Sequence, residues 1–232
     1  GPGVPRELAA ARRDGASMAM SARRPAPTWV HLLELGLFLM VVFSFIWIWS
    51  RRPHAIQIVY VLGLGLSLSA HWRHRERLAD LGLRLDNLGP ALRDAAIPTV
   101  PLVSFFLLRA WWTGHWSPEA LDPERFGALL VWGFFQQYLL QAYIHRRLAA
   151  VIERPLVCEL AVAAVFAALH LPNPVLVPVT FLAGFVFSVL FRRHPNLFVL
   201  ALCHALGSTA VAFAFDPEVL HRMRVGPGYF LL

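Results

Sequence analysis

Seven times along this chain an apolar run recurs at the length a lipid bilayer demands. A hydrocarbon core about 30 Å thick takes roughly 17 to 25 apolar residues in a helix. Runs of that order fall at about 29–50, 56–72, 97–113, 126–148, 155–171, 174–191 and 196–215. Within lipid the backbone must satisfy its own N–H and C=O groups, so each run reads as a helix. The chain is 57% hydrophobic and 15% charged, with a mean hydropathy of +0.56, which leaves no soluble domain of useful size. The expected fold is all-α: one polytopic membrane bundle of about seven transmembrane helices, filling residues 29–215.

All 21 basic residues are arginine. The absence of lysine excludes Schiff-base and lysine-base chemistry. With the N-terminus placed inside, 15 arginines fall on the inner side and six (51, 52, 109, 125, 222 and 224) on the outer, so the positive-inside rule favours N-in and C-out. The expected location is the bacterial inner membrane. The net charge of +7 then speaks of orientation and lipid headgroups. The arginines are split among loops without a basic, aromatic-laced face, so nucleic acid is not the expected partner.

Residues 1–28 read as a tag-cleavage scar (Gly1-Pro2-Gly3) followed by a mobile cytoplasmic arm. Leu78, Leu81, Leu85 and Leu88 recur at helical spacing among charged residues, which predicts an amphipathic surface helix over about 73–96. Residues 216–232 read as an interfacial tail. Cys158 and Cys203 both lie in apolar runs and read as packing residues.

One span carries polar side chains where lipid cannot solvate them. In FFQQYLLQAYIHRRL, residues 134–148, Gln137, Gln141 and His145 recur at i, i+4, i+8 and form one stripe, with Gln136 about 100° round the helix. An unpartnered amide in hydrocarbon costs several kcal/mol, so the stripe must face other helices or a wet cavity. Two later spans add Phe166 with His170 and His204 with Ser208, each pair four residues apart. No HExxH, CxxC or GxSxG occurs, so zinc-protease, redox and serine-hydrolase readings lack their residues.

Taken in order, QQxxxQ, FxxxH and HxxxS resemble the CPBP family of intramembrane proteases, also called Abi or CAAX-protease-like. Its hallmark is EExxxR, FxxxH and HxxxN on successive helices. The resemblance covers about residues 55 to 215 and includes the RRL after the first motif and the HLPNP turn after the second. It implies a CPBP-type bundle and a site in which glutamates and histidines activate water against a peptide bond near a prenylated or membrane-proximal cysteine. Here Gln136 and Gln137 stand at the glutamate positions, Gln141 at the arginine and Ser208 at the asparagine. Because all three charged positions are neutral amides that can bond one another, the set reads as a re-optimised polar cluster.

An amide does not titrate near neutral pH and cannot serve as the base. Two functions therefore stay open. In one, the chain is a hydrolase, a peptidase on a membrane-anchored substrate, with His170 or His204 as base and the glutamines orienting water or holding the oxyanion. In the other, it is a pseudoprotease that keeps the cavity and serves as membrane scaffold, chaperone, or lipid or peptide binder. No cofactor is expected, because a metal between His170 and His204 would have too few ligands. Membrane lipids and a membrane-anchored peptide are the expected partners. Gln136, Gln137, His170 and His204 are the candidate catalytic residues; Gln141, Phe166, Ser208 and Asn173 are the candidate supporting ones. Each also has a plain structural reading. A lone membrane glutamine is interhelical glue worth about 0.6 kcal/mol. His170 stands at a helix end, and Asn173 before Pro174 is a helix N-cap signal. Glu159 lies too far along its helix to serve His170, and His31 and Glu34 read as a structural pair near one end of the first span.

The arginine split makes a test. In a background in which Cys158 and Cys203 are alanine, a membrane-impermeant thiol reagent applied outside should label Cys at position 119 and miss Cys at position 149. The opposite pattern would reverse the orientation.

Overall fold

A computed structural model describes residues 26–231; most of the arm expected over residues 1–28 lies outside them. The described residues are helical with connecting turns. Helix α1 is Thr28–Ser44 and runs on into a π-helical turn, Phe45–Trp49. Helices α2, Ala55–His74, and α3, Leu88–Thr113, follow. A long rod comprises α4, Pro123–Gln137, a π-helical stretch, Tyr138–His145, and the short α5, Arg146–Ala149. Helices α6, Pro155–Ala168, α7, Leu176–Arg193, and α8, Leu197–Ala214, complete the bundle.

Local chemistry fixes several of these boundaries. The Asp122 carboxylate accepts from Arg125 N at 2.9 Å, and Pro123 starts α4 with the φ a first turn needs. Asn196 caps α8 in the same way through Val199 N, at 3.1 Å. It also donates to Arg84 O at 3.0 Å, anchoring the loop that precedes α3. Proline opens α6 at Pro155.

Five described helices are long and apolar enough to cross a membrane: Thr28–Trp49, Ala55–His74, Leu88–Thr113, Leu176–Arg193 and Leu197–Ala214. The spans expected at 126–148 and 155–171 do not qualify. α6 has 14 residues, about 21 Å at 1.5 Å per residue, and the rod, although continuous from Pro123 to Ala149, is divided by its π-helical stretch into shorter helices. The all-α membrane bundle stands, with five helices of bilayer length and composition among the described residues.

The surface helix expected at 73–96 is also corrected. α2 ends where Arg75 turns left-handed (φ 53), residues 75–87 make turns, and 88–96 are the first turns of α3. Gly82 decides this loop. Its φ is +82, and a Cβ there would lie 2.8 Å from the Phe191 ring and 3.1 Å from Leu197 N, so the turn is pressed against the start of α8. Of the four leucines, Leu81 enters the core while Leu78 and Leu85 stay exposed.

α8 is the centre of the bundle. It packs along α4 and α3, while α6 pairs with α7. Its bilayer-length stretch is 61% buried, against 17% for α1 and for α3. α3 carries Pro98 and Pro101 and turns one stripe inward, Ala91, Ala95, Thr99, Phe106 and Ala110. The tail after α8 folds back on the bundle. Asn173 donates to Leu220 O at 2.9 Å and Arg224 O at 3.3 Å, and Gly226 N donates to Leu171 O at 2.7 Å.

The opposite end is closed by charge. Arg147, 1% exposed, donates to Glu76 at 2.5 Å and lies 3.6 Å from Glu34 and 3.4 Å from His31 Nδ1. Arg146 reaches Glu76 at 2.9 Å, and Arg73 and His74 each reach Glu34 at 3.0 Å. His71 donates to Glu76 as well. Sequence reading paired His31 with Glu34; here three helices meet round them. Glu76, in the turn beyond α2, feels burial pushing its pKa up, but the His71 hydrogen bond and the charges of Arg146 and Arg147 outweigh this and hold it at about 2.

A carboxylate with a lowered pKa contributes stability that is present above its unfolded pKa and lost as pH falls towards its folded one. For Glu76 that window runs from the ordinary 4.5 down to about 2. Glu76→Ala should strand the buried Arg147 and lower stability by about 3–5 kcal/mol. Thermal unfolding in detergent at pH 7 checks this, and an unchanged melting temperature would contradict the lock.

Candidate functional site

The polar stripe faces inward where the rod changes its winding. Over Tyr138–His145 the hydrogen bonds follow the π pattern, i to i+5, a geometry that occurs mostly as short insertions within α-helices. Gln137 and Gln141 are fully buried and His145 nearly so. Two contacts anchor the far side of this segment: Tyr138 donates to Ser67 Oγ at 3.2 Å, and Tyr143 to Glu34 O at 3.0 Å.

Gln137 meets His204 directly. Its amide nitrogen lies 3.1 Å from Nδ1 of His204, midway along α8. With the amide nitrogen towards the ring, Nδ1 accepts and the neutral imidazole carries its proton on Nε2. His170 is held the other way. Its Nδ1 lies 2.7 Å from Phe166 O, which only accepts, so Nδ1 carries the proton and Nε2 keeps a lone pair. Phe166 stands by both rings, its centroid 4.8 Å from that of His170 and 6.2 Å from that of His204. Phe187 stacks on His204 from α7 at 6.3 Å. One donor-type and one acceptor-type Nε2 are thus set round a single phenyl ring.

The other expected residues divide. Gln141 belongs to a neighbouring trio: its Oε1 lies 3.1 Å from His145 Nδ1 and 3.3 Å from Ser188 Oγ, whose hydroxyl donates to Gly184 O at 2.8 Å. Gln136 and Ser208 are half-buried and, among the described residues, have no side-chain hydrogen bond. Asn173 does cap: its Oδ1 accepts from Val175 N at 3.1 Å and Leu176 N at 3.0 Å, while its amide nitrogen holds the tail. It fixes the turn after His170 and is not drawn into the pair. Glu159 is paired with Arg192 at 2.6 Å. Sequence reasoning did not find Ser188, which has no motif neighbour to mark it, nor Phe187.

Metal-ligand geometry occurs at the charged end instead. His31, Glu34 and His74 offer ligand atoms within 4.8 Å of one another. Arg73 already bonds Glu34, and Arg147 stands 3.6 Å from it. These guanidiniums supply the positive charge a metal would bring, and the group is read as part of the ion-pair lock.

Gly133 makes room for His204. A Cβ there would lie 3.1 Å from His204 Cδ2 and 3.2 Å from Ala201 O, so the imidazole fits against α4 only because that position has no side chain. Gly133→Ala should therefore move the ring off Gln137 and lower stability by about 1–3 kcal/mol, as overpacking does. The histidine NMR spectrum and thermal unfolding check this together, and a silent substitution would contradict the close approach.

No curated protein and no solved structure matches the chain. A family model does match, and it begins with α4 and ends within α8, over the residues that build the Gln137–His204 contact and the His170 turn. The match spans residues 123–210 and is to the family described as type II CAAX prenyl endopeptidase Rce1-like, within the CPBP group.

Proposed function

We propose that this membrane protein is a CAAX-protease-type intramembrane hydrolase that cleaves a peptide bond in a membrane-anchored, lipidated substrate, with two histidines doing the work of the missing glutamates. The observation that carries the reading is that His170 and His204 both stand against Phe166, each with its Nδ1 already engaged, by Phe166 O and by the Gln137 amide. His170 Nε2 has a lone pair and takes a proton from water as its oxygen attacks the scissile carbonyl carbon. His204 Nε2–H donates to the carbonyl oxygen as negative charge gathers there, the part an oxyanion hole plays. When the tetrahedral species collapses, the C–N bond breaks and the proton held on His170 passes to the leaving amine. Gln137 orients His204; Gln136 and Ser208 are half-buried side chains free to meet the substrate. The family match supports the reaction class, and the apolar rings of Phe166 and Phe187 suit a lipid-linked peptide.

The test is cleavage of a fluorescence-quenched peptide with a lipidated cysteine near its C-terminus, by the full chain in detergent or liposomes. The base must be neutral to act, so the rate should rise with pH through the imidazole titration. His170→Ala and His204→Ala should each lower it about 10²–10⁴-fold, and Gln136→Glu should change it modestly. Undiminished cleavage in both histidine variants would overturn the roles. Full cellular function in both, at normal protein levels, would leave the scaffold or binder reading in their place.

A further inference from the structure

The tail that follows α8 contains a strained turn. His221, Arg222 and Met223 have φ values of 47, 51 and 59, three consecutive residues with side chains in the left-handed region. Each such residue costs about 1–2 kcal/mol. A run of three persists only where its surroundings over-determine it, and strain of this kind gathers at functional sites. Here Asn173, fully buried, spans the turn with one amide nitrogen, donating to Leu220 O before it and to Arg224 O after it. The His221 ring stacks on Tyr229 at 3.8 Å, and Leu220 is buried in the core.

This turn forms one wall of a cavity of about 300 Å³. Phe215, Leu220, Arg222 and Met223 line it from the tail, and Glu119 and Arg125 from the loop before α4 and its first turn. The volume is at the lower end of those that hold small ligands. Leu220 is buried and apolar, whereas Glu119, Arg125 and Arg222 are exposed at the rim. Among the described residues these three charges have no ionic partner, although charges around them are engaged. His115 lies 2.9 Å from Asp216, and Arg109 donates to Ala214 O and covers the Phe215 ring at 3.8 Å.

The cavity lies at headgroup level. Ser117 N donates to Phe213 O at 3.1 Å, which joins the loop before α4 to the last turn of α8, and Gly226 of the tail lies against Ile46 near the end of α1. Trp47, Trp49, Trp111, Trp112 and Trp116 are exposed at this same end, as an interfacial aromatic belt requires. Trp29 and Trp72, exposed at the charged end, mark the other interface.

We propose that this cavity binds the headgroup of a membrane phospholipid that carries a primary ammonium, an ethanolamine-type phosphodiester, from the leaflet on the tail side. Arg125 and Arg222 bring two guanidiniums to the unesterified phosphate oxygens, the recognition for which arginine's planar fork is suited. Glu119 accepts from the ammonium, which has N–H groups to give. Phe215, Leu220 and Met223 meet the glycerol and the first methylenes. A glycerol headgroup leaves Glu119 facing a phosphate with no cation between them, and a choline has no N–H for it. The strain then has a purpose, since it brings Arg222 and Met223 to one cavity. The site shares no residue with the His170–His204 pair and does not rest on the hydrolase reading.

The test is native mass spectrometry of the full-length protein, delipidated in mild detergent and titrated with dihexanoyl phospholipids bearing ethanolamine, glycerol or choline headgroups. Phosphoethanolamine and inorganic phosphate, which have no chains, are added as competitors. The ethanolamine lipid should bind best, and inorganic phosphate should displace it only at far higher concentration. Arg125→Gln and Arg222→Gln should each weaken binding about tenfold, the weight of a hydrogen bond to a charged group. Glu119→Gln should erase the preference for ethanolamine over glycerol. Arg222→Gly separates the site from the fold: it relieves the left-handed strain, so the melting temperature should hold or rise while binding falls about tenfold. Four results overturn the proposal. They are undiminished binding in both Arg→Gln variants, a wild-type preference for glycerol or choline, displacement by inorganic phosphate as readily as by phosphoethanolamine, which marks a free-anion site, and an Arg222→Gly protein that binds lipid as wild type does.

Discussion

A guanidinium in a membrane bundle needs carboxylates, and the rest of this architecture is arranged round that need. Arg147 is 1% exposed. Removing such a charge from water costs several kcal/mol unless its partners are in place. Glu76 and Glu34 provide them, one from the turn after α2 and the other from α1, so satisfying one side chain draws three segments to a common end of the bundle. Arg146, Arg73, His71 and His74 then fill the remaining carboxylate positions. The same rod that delivers Arg147 to this end delivers Gln137 to the middle, and the lock therefore also sets the height and rotation of the polar stripe.

The site is built on the opposite principle. Where the charged end balances full charges, the centre has only neutral groups, glutamines, serine and imidazoles, each constrained by what its neighbour can donate or accept. That makes orientation the variable that matters. His170 takes its tautomer from a backbone carbonyl of its own helix, which no side-chain substitution can remove, whereas His204 takes its tautomer from a side chain that can turn. α8, the most buried of the bilayer-length helices, carries the second histidine, with α4, Phe166 and Phe187 round it.

Much of this was legible before any coordinates. The bilayer imposes a length on apolar runs, so the helices that meet it could be read off directly, and polar residues inside a run announce themselves because lipid leaves them no other explanation. The order of Gln137, Phe166, His170 and His204 carried the family resemblance. What failed did so for identifiable reasons. Leu78, Leu81, Leu85 and Leu88 have helical spacing, but Gly82 lies against Phe191 and α8, a contact more than a hundred residues away in sequence, and this tertiary constraint prevails over the local pattern. Glu34 was seen beside His31, yet its role depends on Arg147, whose partnership no local spacing records. Ser188 looks like any small polar residue on a membrane helix until Gln141 is placed against it. The length of α6 was overread because Leu169 and Leu171 carry apolar side chains on into the turn that follows its last helical bonds.

The π-helical stretch over Tyr138–His145 acts as a phase coupling between two faces of one rod. Before it, the rod presents Gly133 and Gln137 to His204; after it, Arg147 to Glu76 and Glu34. An α-helix advances 100° for each residue, so losing one residue from this stretch would turn everything beyond it by about a quarter of a revolution, and gaining one would do the same in the opposite sense. Either change keeps every side chain and every apolar run, yet sends the guanidinium into lipid or the amide away from the histidine. Among relatives of this protein, insertions and deletions should therefore be confined to the loops on either side of the rod, and the number of residues separating the amide from the guanidinium should be invariant even where the residues between them are exchanged.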